Sequence, residues 1–394
     1  MNIKTKNGAP ALIERRTKSN KKFMLLSAIG IFMVVDHHTF TALNLFGDYI
    51  PYNSFFMPMF VFISGYFNKV DSSTNLIKYI WKKIKNLLFP YAGISLLVFL
   101  IWQLINWIKL GEIQEISSWY LSYVMQRIFT VGSFASIAAP MWFVIVLFAT
   151  LLIYAVLKVL LSKIHIWNSY VMLAVFTGLN ILSIFLARNL AGDQVNGMLI
   201  LLKVMFFLPF LEMGILYREH LEQKLSNMSV GSKIGLVVSL LVINVIRTAY
   251  MPAPYDIAFD SIDEMAGFTS PFLVTPLISS LIGILFWLTL TDLIGKPFYE
   301  SKFINYMSCN TFWIMGLHIT FFNLLNLILM LIKENIIDLK YFDCDSFRES
   351  EWYFWGISPG FKLVYVITGI LGPLGIKLIF DKIVLMVRRR MEKC

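Results

Sequence analysis

Residues 23–38 read Phe23-Met24-Leu25-Leu26-Ser27-Ala28-Ile29-Gly30-Ile31-Phe32-Met33-Val34-Val35-Asp36-His37-His38, an apolar run closed by three titratable side chains. About 20 mostly apolar residues are needed to cross roughly 30 Å of hydrocarbon, and the stretch 23–43 is long enough. It is too long for the apolar core of a secretory signal, and no small-residue cleavage site follows it. It therefore reads as a retained span. The same criterion applied along the chain gives ten candidate spans, at approximately 23–43, 50–68, 87–110, 140–162, 165–187, 198–218, 231–251, 272–295, 303–332 and 360–387. The second is short and holds Pro51 and Pro58. The stretch 113–136 alternates polar and apolar residues and reads as an interfacial helix or loop.

The composition of the 394 residues agrees: 58% are hydrophobic, 15% are charged, and the mean hydropathy is +0.70. Soluble domains carry about 25% charged residues, and here the charges are too few to cover the apolar excess. A soluble enzyme, a disordered chain and a nucleic-acid-binding domain are excluded. The expected fold is all-α and polytopic, with one transmembrane domain over 23–387 between basic tails at 1–22 and 388–394.

The net charge of +10 is then a matter of position, because lysine and arginine concentrate on the cytoplasmic side of membrane proteins. With the N-terminus inside, 25 of the 34 lysines and arginines fall in inner segments, among them Lys82-Lys83-Lys85 and Arg388-Arg389-Arg390. Acidic residues gather on the other side, in Asp256–Glu264 and Asp343–Glu351. Both termini are expected in the cytoplasm. Three cysteines make no disulfide framework, and the ending Met391-Glu392-Lys393-Cys394 lacks the spacing of a prenylation signal.

Titratable groups inside a span cost at least about 2.5–3.5 kcal/mol each and mark function. The spans hold Asp36, His37 and His38, then Glu212, then His318. A buried imidazole is the usual general base near neutral pH, and a carboxylate nearby raises its basicity and fixes its tautomer. His38 shares an apolar face with Ile31, Val34, Val35 and Ala42 that would carry it into the bundle, whereas His37 lies about 100° around the helix. Adjacent histidines diverge and no H-x3-H spacing occurs, so no metal is expected. No G-x-S-x-G elbow or Walker A loop is present.

The first span and the run Phe56-Met57-Pro58-Met59-Phe60-Val61-Phe62-Ile63-Ser64-Gly65-Tyr66-Phe67 together resemble the opening of the membrane-bound acyltransferase 3 family, an apolar helix ending in Val-Val-x-x-His and then a Met-Pro run closing on Ser-Gly-Tyr. Three later stretches are similar to the family's, in order: Pro140-Met141-Trp142-Phe143, Phe206 to Gly214, and Asn305 through Asn310-Thr311 to His318. The resemblance covers about residues 23–330. It implies an essential histidine at His38, and it brings Ser64, Trp142, Asn310 and Thr311 in as substrate-site candidates beside Glu212 and His318.

The implied activity is transfer of an acyl group, most often acetyl, from acyl-CoA to a hydroxyl of a cell-surface or lipid-linked sugar. On that reading Lys82, Lys83 and Lys85 would attract the phosphates of coenzyme A. The aromatic residues Trp119-Tyr120 and Trp352-Tyr353-Phe354-Trp355 would stack on sugar rings or form an interfacial belt. The expected location is a cell membrane, bacterial plasma membrane in particular, with lipid, acyl-CoA and a glycan as partners and no nucleic acid. A transporter or flippase of polysaccharide or lipid intermediates is the competing reading. Its signature would be two related halves with matching broken helices, and no such internal symmetry is visible.

Overall fold

The computed structural model describes residues 21–39, 43, 46–113, 115–192, 196–250, 261–267, 272–356 and 361–391. In chain order the helices are α1 (Lys21–His37), α2 (Phe56–Tyr66), α3 (Leu76–Leu110), α4 (Ser118–Thr130), α5 (Trp142–Lys163), α6 (Ser169–Leu190), α7 (Leu199–Ser226), α8 (Val230–Tyr250), α9 (Ile262–Gly267), α10 (Thr275–Ile294), α11 (Lys302–Cys309), α12 (Thr311–Asn335), α13 (Cys344–Glu349) and α14 (Lys362–Met391). Short 3-10 turns join some of them, and no strand occurs among the described residues. Among the described residues eight helices are long and apolar enough to cross a membrane: α3, α5, α6, α7, α8, α10, α12 and α14. The protein is all-α and polytopic. The N-terminal segment 1–20 and residues 251–260 and 392–394 lie outside the described residues, while Arg388–Met391 continue α14.

Three elements differ from the sequence expectation. The first helix has 17 residues rather than the 21 of 23–43. It stops at His37 because Thr39 turns back on it: the Thr39 backbone N–H and Oγ1 both donate to the Asp36 carbonyl, at 3.1 and 2.8 Å. The Asp36 carboxylate in turn accepts the Leu43 N–H at 3.1 Å. The second expected span is reduced to the 11 residues of α2, about 16 Å at 1.5 Å per residue. The expected continuous span 303–332 is broken at Asn310, whose carbonyl takes the N–H groups of Trp313 and Ile314 while its Nδ2 donates to Tyr306 O at 2.8 Å. The interfacial stretch 113–136 contains α4, an amphipathic helix with Trp119 and Phe129 exposed.

In the bundle α7 is central. Of its apolar window 78% is buried, against 22% for α3 and for α8, which face outward. Small residues let α7 and α2 touch backbone to backbone: a Cβ on Gly65 would collide with the Leu211 carbonyl, and one on Gly214 with the Phe62 carbonyl. Two buried polar side chains between helices donate to backbone carbonyls of a neighbouring element, which lowers the cost of a polar group in a membrane interior. Asn180 donates to Phe206 O at 2.7 Å and Ser280 to Ser54 O at 2.7 Å.

The start of α1, the ends of α2, α7 and α10 and the start of α8 meet at one basic end. There Lys22 donates to Tyr217 Oη at 2.8 Å and lies 3.6 Å from Asp292, which also holds Lys233 at 2.5 Å. Tyr66 donates to Glu222 at 2.8 Å, and Arg218 donates to Tyr66 O at 2.7 Å. Helix α11 packs beside the start of α1, so α11 and α12 together run alongside it. That parallel course brings the far end of α1 level with the first turns of α12.

Candidate active site

What lies at that level is a pair of histidines, one from each end of the sequence. His318 Nε2 is 3.2 Å from His38 Nδ1, and the ring centroids are 4.9 Å apart. Each ring is also held by its own helix. His38 Nδ1 lies 2.7 Å from Val34 O, and His318 Nδ1 lies 2.9 Å from Ile314 O, both one turn back. His318 is fully buried, and His38 is half-buried at the helix end.

The tautomers follow from these partners. A carbonyl oxygen only accepts, so the nitrogen facing it carries the proton. His318 is therefore protonated on Nδ1 and, when neutral, presents a lone pair on Nε2. His38 is likewise protonated on Nδ1, and that hydrogen is shared between Val34 O and the His318 lone pair. The remaining nitrogen, His38 Nε2, is the basic one. Among the described residues it has no hydrogen-bond partner, every bond of this side chain leaving from Nδ1.

Three aromatic groups flank the pair. The His37 ring lies 5.6 Å from His38 and 5.7 Å from Phe56, and Trp352 lies 5.8 Å from His38. Phe322, one turn beyond His318, stands edge-on to it at 5.6 Å. The segment around Trp352 is stapled over the site. Trp352 Nε1 donates to Ser136 Oγ at 2.7 Å, and Trp102 Nε1 donates to the Glu351 carboxylate at 2.8 Å. Asn323 and Asn326 of α12 donate to the carbonyls of Glu351 and Tyr353, each at 2.8 Å. Tyr365 of α14 donates to Asn326 Oδ1 at 2.5 Å and accepts the Trp355 N–H at 3.0 Å.

The remaining sequence candidates are dispersed. The Asp36 carboxylate is engaged by Leu43, and the group that fixes the His38 tautomer is the Val34 carbonyl. Trp142, buried at the head of α5, carries the Lys203 ammonium over its ring at 4.0 Å and stacks with Phe207 at 6.2 Å. Glu212 accepts from Tyr154 at 2.6 Å, towards the basic end. Ser64 is half-buried on α2 beside the Gly65 crossing, and Asn310 and Thr311 form the joint between α11 and α12. Lys82, Lys83 and Lys85 lie on the first turns of α3, where Lys83 covers the Tyr79 ring at 5.2 Å and Lys85 the Trp81 ring at 5.1 Å.

A family model described as an acyltransferase domain matches residues 22–374, which takes in both histidines and every helix of the bundle from α1 into α14. The chain belongs to the acyltransferase 3 family. No curated protein and no solved structure matches it. In this family member the histidine pair joins the first matched helix to one near the end of the matched region, so the match encloses the whole site.

Several groups at or near the site escape a reading of the sequence alone. Lys203 is a fully buried cation inside the span 198–218, and a count of basic residues by side of the membrane does not single it out. Asn323 and Asn326 follow His318 at roughly turn spacing on an otherwise apolar helix. That polar stripe was the available signal, since polar residues on one face of a span face protein and not lipid. Ser136 and Trp102 had none.

Proposed function

We propose that this family member is a membrane O-acyltransferase that moves an acyl group, acetyl in the simplest case, from acyl-CoA to a hydroxyl of a cell-surface or lipid-linked sugar, with His38 as general base. The observation that carries this reading is the half-buried His38 imidazole, its Nδ1 proton shared between Val34 O and His318 and its basic Nε2 without a hydrogen-bond partner among the described residues. An alcohol is a weak nucleophile at neutral pH, and transfer needs a base that removes its proton as it attacks. The sugar oxygen bonds to the thioester carbonyl carbon, and its proton passes to His38 Nε2. Collapse of the adduct breaks the carbon–sulfur bond, and the coenzyme A thiolate leaves with that proton.

Other features support the assignment of substrates. The ammonium groups of Lys82, Lys83 and Lys85 stand where the expected topology places the cytoplasm, the compartment that supplies acyl-CoA. Trp352, the member of the aromatic segment that lies 5.8 Å from His38, stands at the opposite end, as a sugar-facing ring would. The apolar helices support a multi-pass membrane protein, and on this reading its setting is a cell membrane, the bacterial plasma membrane in particular, where envelope polysaccharide is modified.

The test uses purified protein in vesicles with radiolabelled acetyl-CoA and a panel of envelope polysaccharides. His38→Ala is expected to lower kcat by about 10²–10⁴-fold, the usual loss on removing a positioned base, with expression and donor binding retained. Undiminished transfer by His38→Ala would sink the base assignment. No transfer by the wild-type chain to any acceptor, with glycan movement across the vesicle instead, would sink the enzyme reading.

A further inference from the structure

We propose that His318 is a positioning residue for the reaction, acting through His38: its Nε2 lone pair accepts the His38 Nδ1 proton and stabilises the imidazolium that forms when His38 takes the substrate proton. This deepens the reading of His38 as base and rests on it. Three observations carry it. The two nitrogens are 3.2 Å apart. His318 is turned to present an acceptor, because its other nitrogen is spent on the Ile314 carbonyl. And it is fully enclosed, so water cannot substitute for it.

The energetics favour a role in the transition state. With His38 neutral, its Nδ1 proton makes an ordinary shared bond to Val34 O and His318. Once Nε2 is protonated the donor is a cation, and hydrogen bonds from an ionised donor are roughly twice as strong. The gain appears only as the proton moves, so it raises kcat and leaves ground-state binding alone. No net transfer to His318 is required: the proton taken from the hydroxyl sits on His38 Nε2 and returns to the leaving thiolate, while the Nδ1 proton stays in place. The break at Asn310 has a part in this. By letting α11 follow α1 and then restarting the helix, it sets the register that delivers His318 to His38.

The experiment exploits a habit of this chain. Asparagines at 310, 323 and 335 each donate to the carbonyl four residues back. His318→Asn therefore keeps the local bond to Ile314 O but is too short to reach His38, whereas His318→Gln reaches far enough to offer an acceptor. Both are assayed in vesicles with acetyl-CoA and the polysaccharide that the wild type labels, alongside thermal midpoints in detergent. His318→Asn is expected to lower kcat about 10–100-fold, the worth of one charged hydrogen bond, with both KM values and the thermal midpoint near wild type. His318→Gln is expected to recover most of that loss.

If Asn and Gln lose activity equally at unchanged stability, or if kcat survives in His318→Asn while His38→Ala is inactive, His318 has no such role. If acceptor KM rises and kcat holds, His318 is a substrate contact and the proposal is overturned in that way. Full activity in His38→Ala instead removes the base reading itself, so the two failures are distinct.

Discussion

Two side chains inside the bundle illustrate how differently a polar residue can be accommodated. His37 and His38 are neighbours in sequence; His38 is held by a carbonyl one turn back and by the His318 imidazole, while the His37 ring lies about 100° around the helix and 5.7 Å from Phe56. His37→Ala is accordingly expected to reduce kcat by less than about 10-fold, well under the loss for His38→Ala. Equal losses in steady-state assays of the two would move the base by one position. Lys203 is accommodated through a ring face, its ammonium 4.0 Å from the Trp142 centroid. A buried cation–π contact is worth about 2 kcal/mol. A double-mutant cycle of Lys203→Met and Trp142→Leu, followed by unfolding in detergent, should return a coupling of roughly 1–2 kcal/mol. Additive effects would mean that the contact contributes nothing.

Between elements, close approach decides the architecture. At the crossing of α2 and α7, Gly65 and Gly214 leave no room for a methyl group against the opposing carbonyls. Elsewhere glycine is incidental: a Cβ on Gly93 of α3 or Gly178 of α6 meets nothing. Gly65→Ala should therefore cost about 1–3 kcal/mol through forced separation of the helices, read as a lowered thermal midpoint. Gly93→Ala and Gly178→Ala should be neutral or slightly stabilising, as alanine favours the helix. Equal behaviour of the three would show that the crossing has slack. This contrast explains why the Ser64-Gly65-Tyr66 stretch is recognisable in sequence: Gly65 permits the contact and Tyr66 reaches Glu222 at the end of α7.

At the scale of the whole molecule the two ends carry different side chains. The basic end collects Lys22, Lys233, Arg218 and their acidic partners, while the opposite end carries Asp343 and the segment that covers the histidines. The expected orientation puts Cys344 outside. A membrane-impermeant maleimide should label it in intact cells carrying Cys309→Ser and Cys394→Ser. Partial burial and the nearby Glu334 push the Cys344 thiol above its usual range, so less of it is thiolate at neutral pH and labelling should quicken as pH rises. Labelling that needs permeabilised cells would invert the topology.

The sequence by itself determined that this chain is a helical membrane protein, because apolar run length and the cost of burying charge are local properties. It also determined the family, through short motifs that recur in order, and it singled out His38 and His318, because titratable groups in apolar runs are conspicuous. What only the tertiary structure decided is that these two histidines, 280 positions apart, form one pair. Whether two spans run side by side, and in which register, depends on where helices stop. Here Asp36 and Thr39 end α1 and Asn310 interrupts the later span, capping events whose partners are one or two side chains. Hydropathy averages over such events. The same averaging hid Lys203 and the asparagines of α12, whose positions become meaningful only when a ring or a carbonyl from another helix stands opposite.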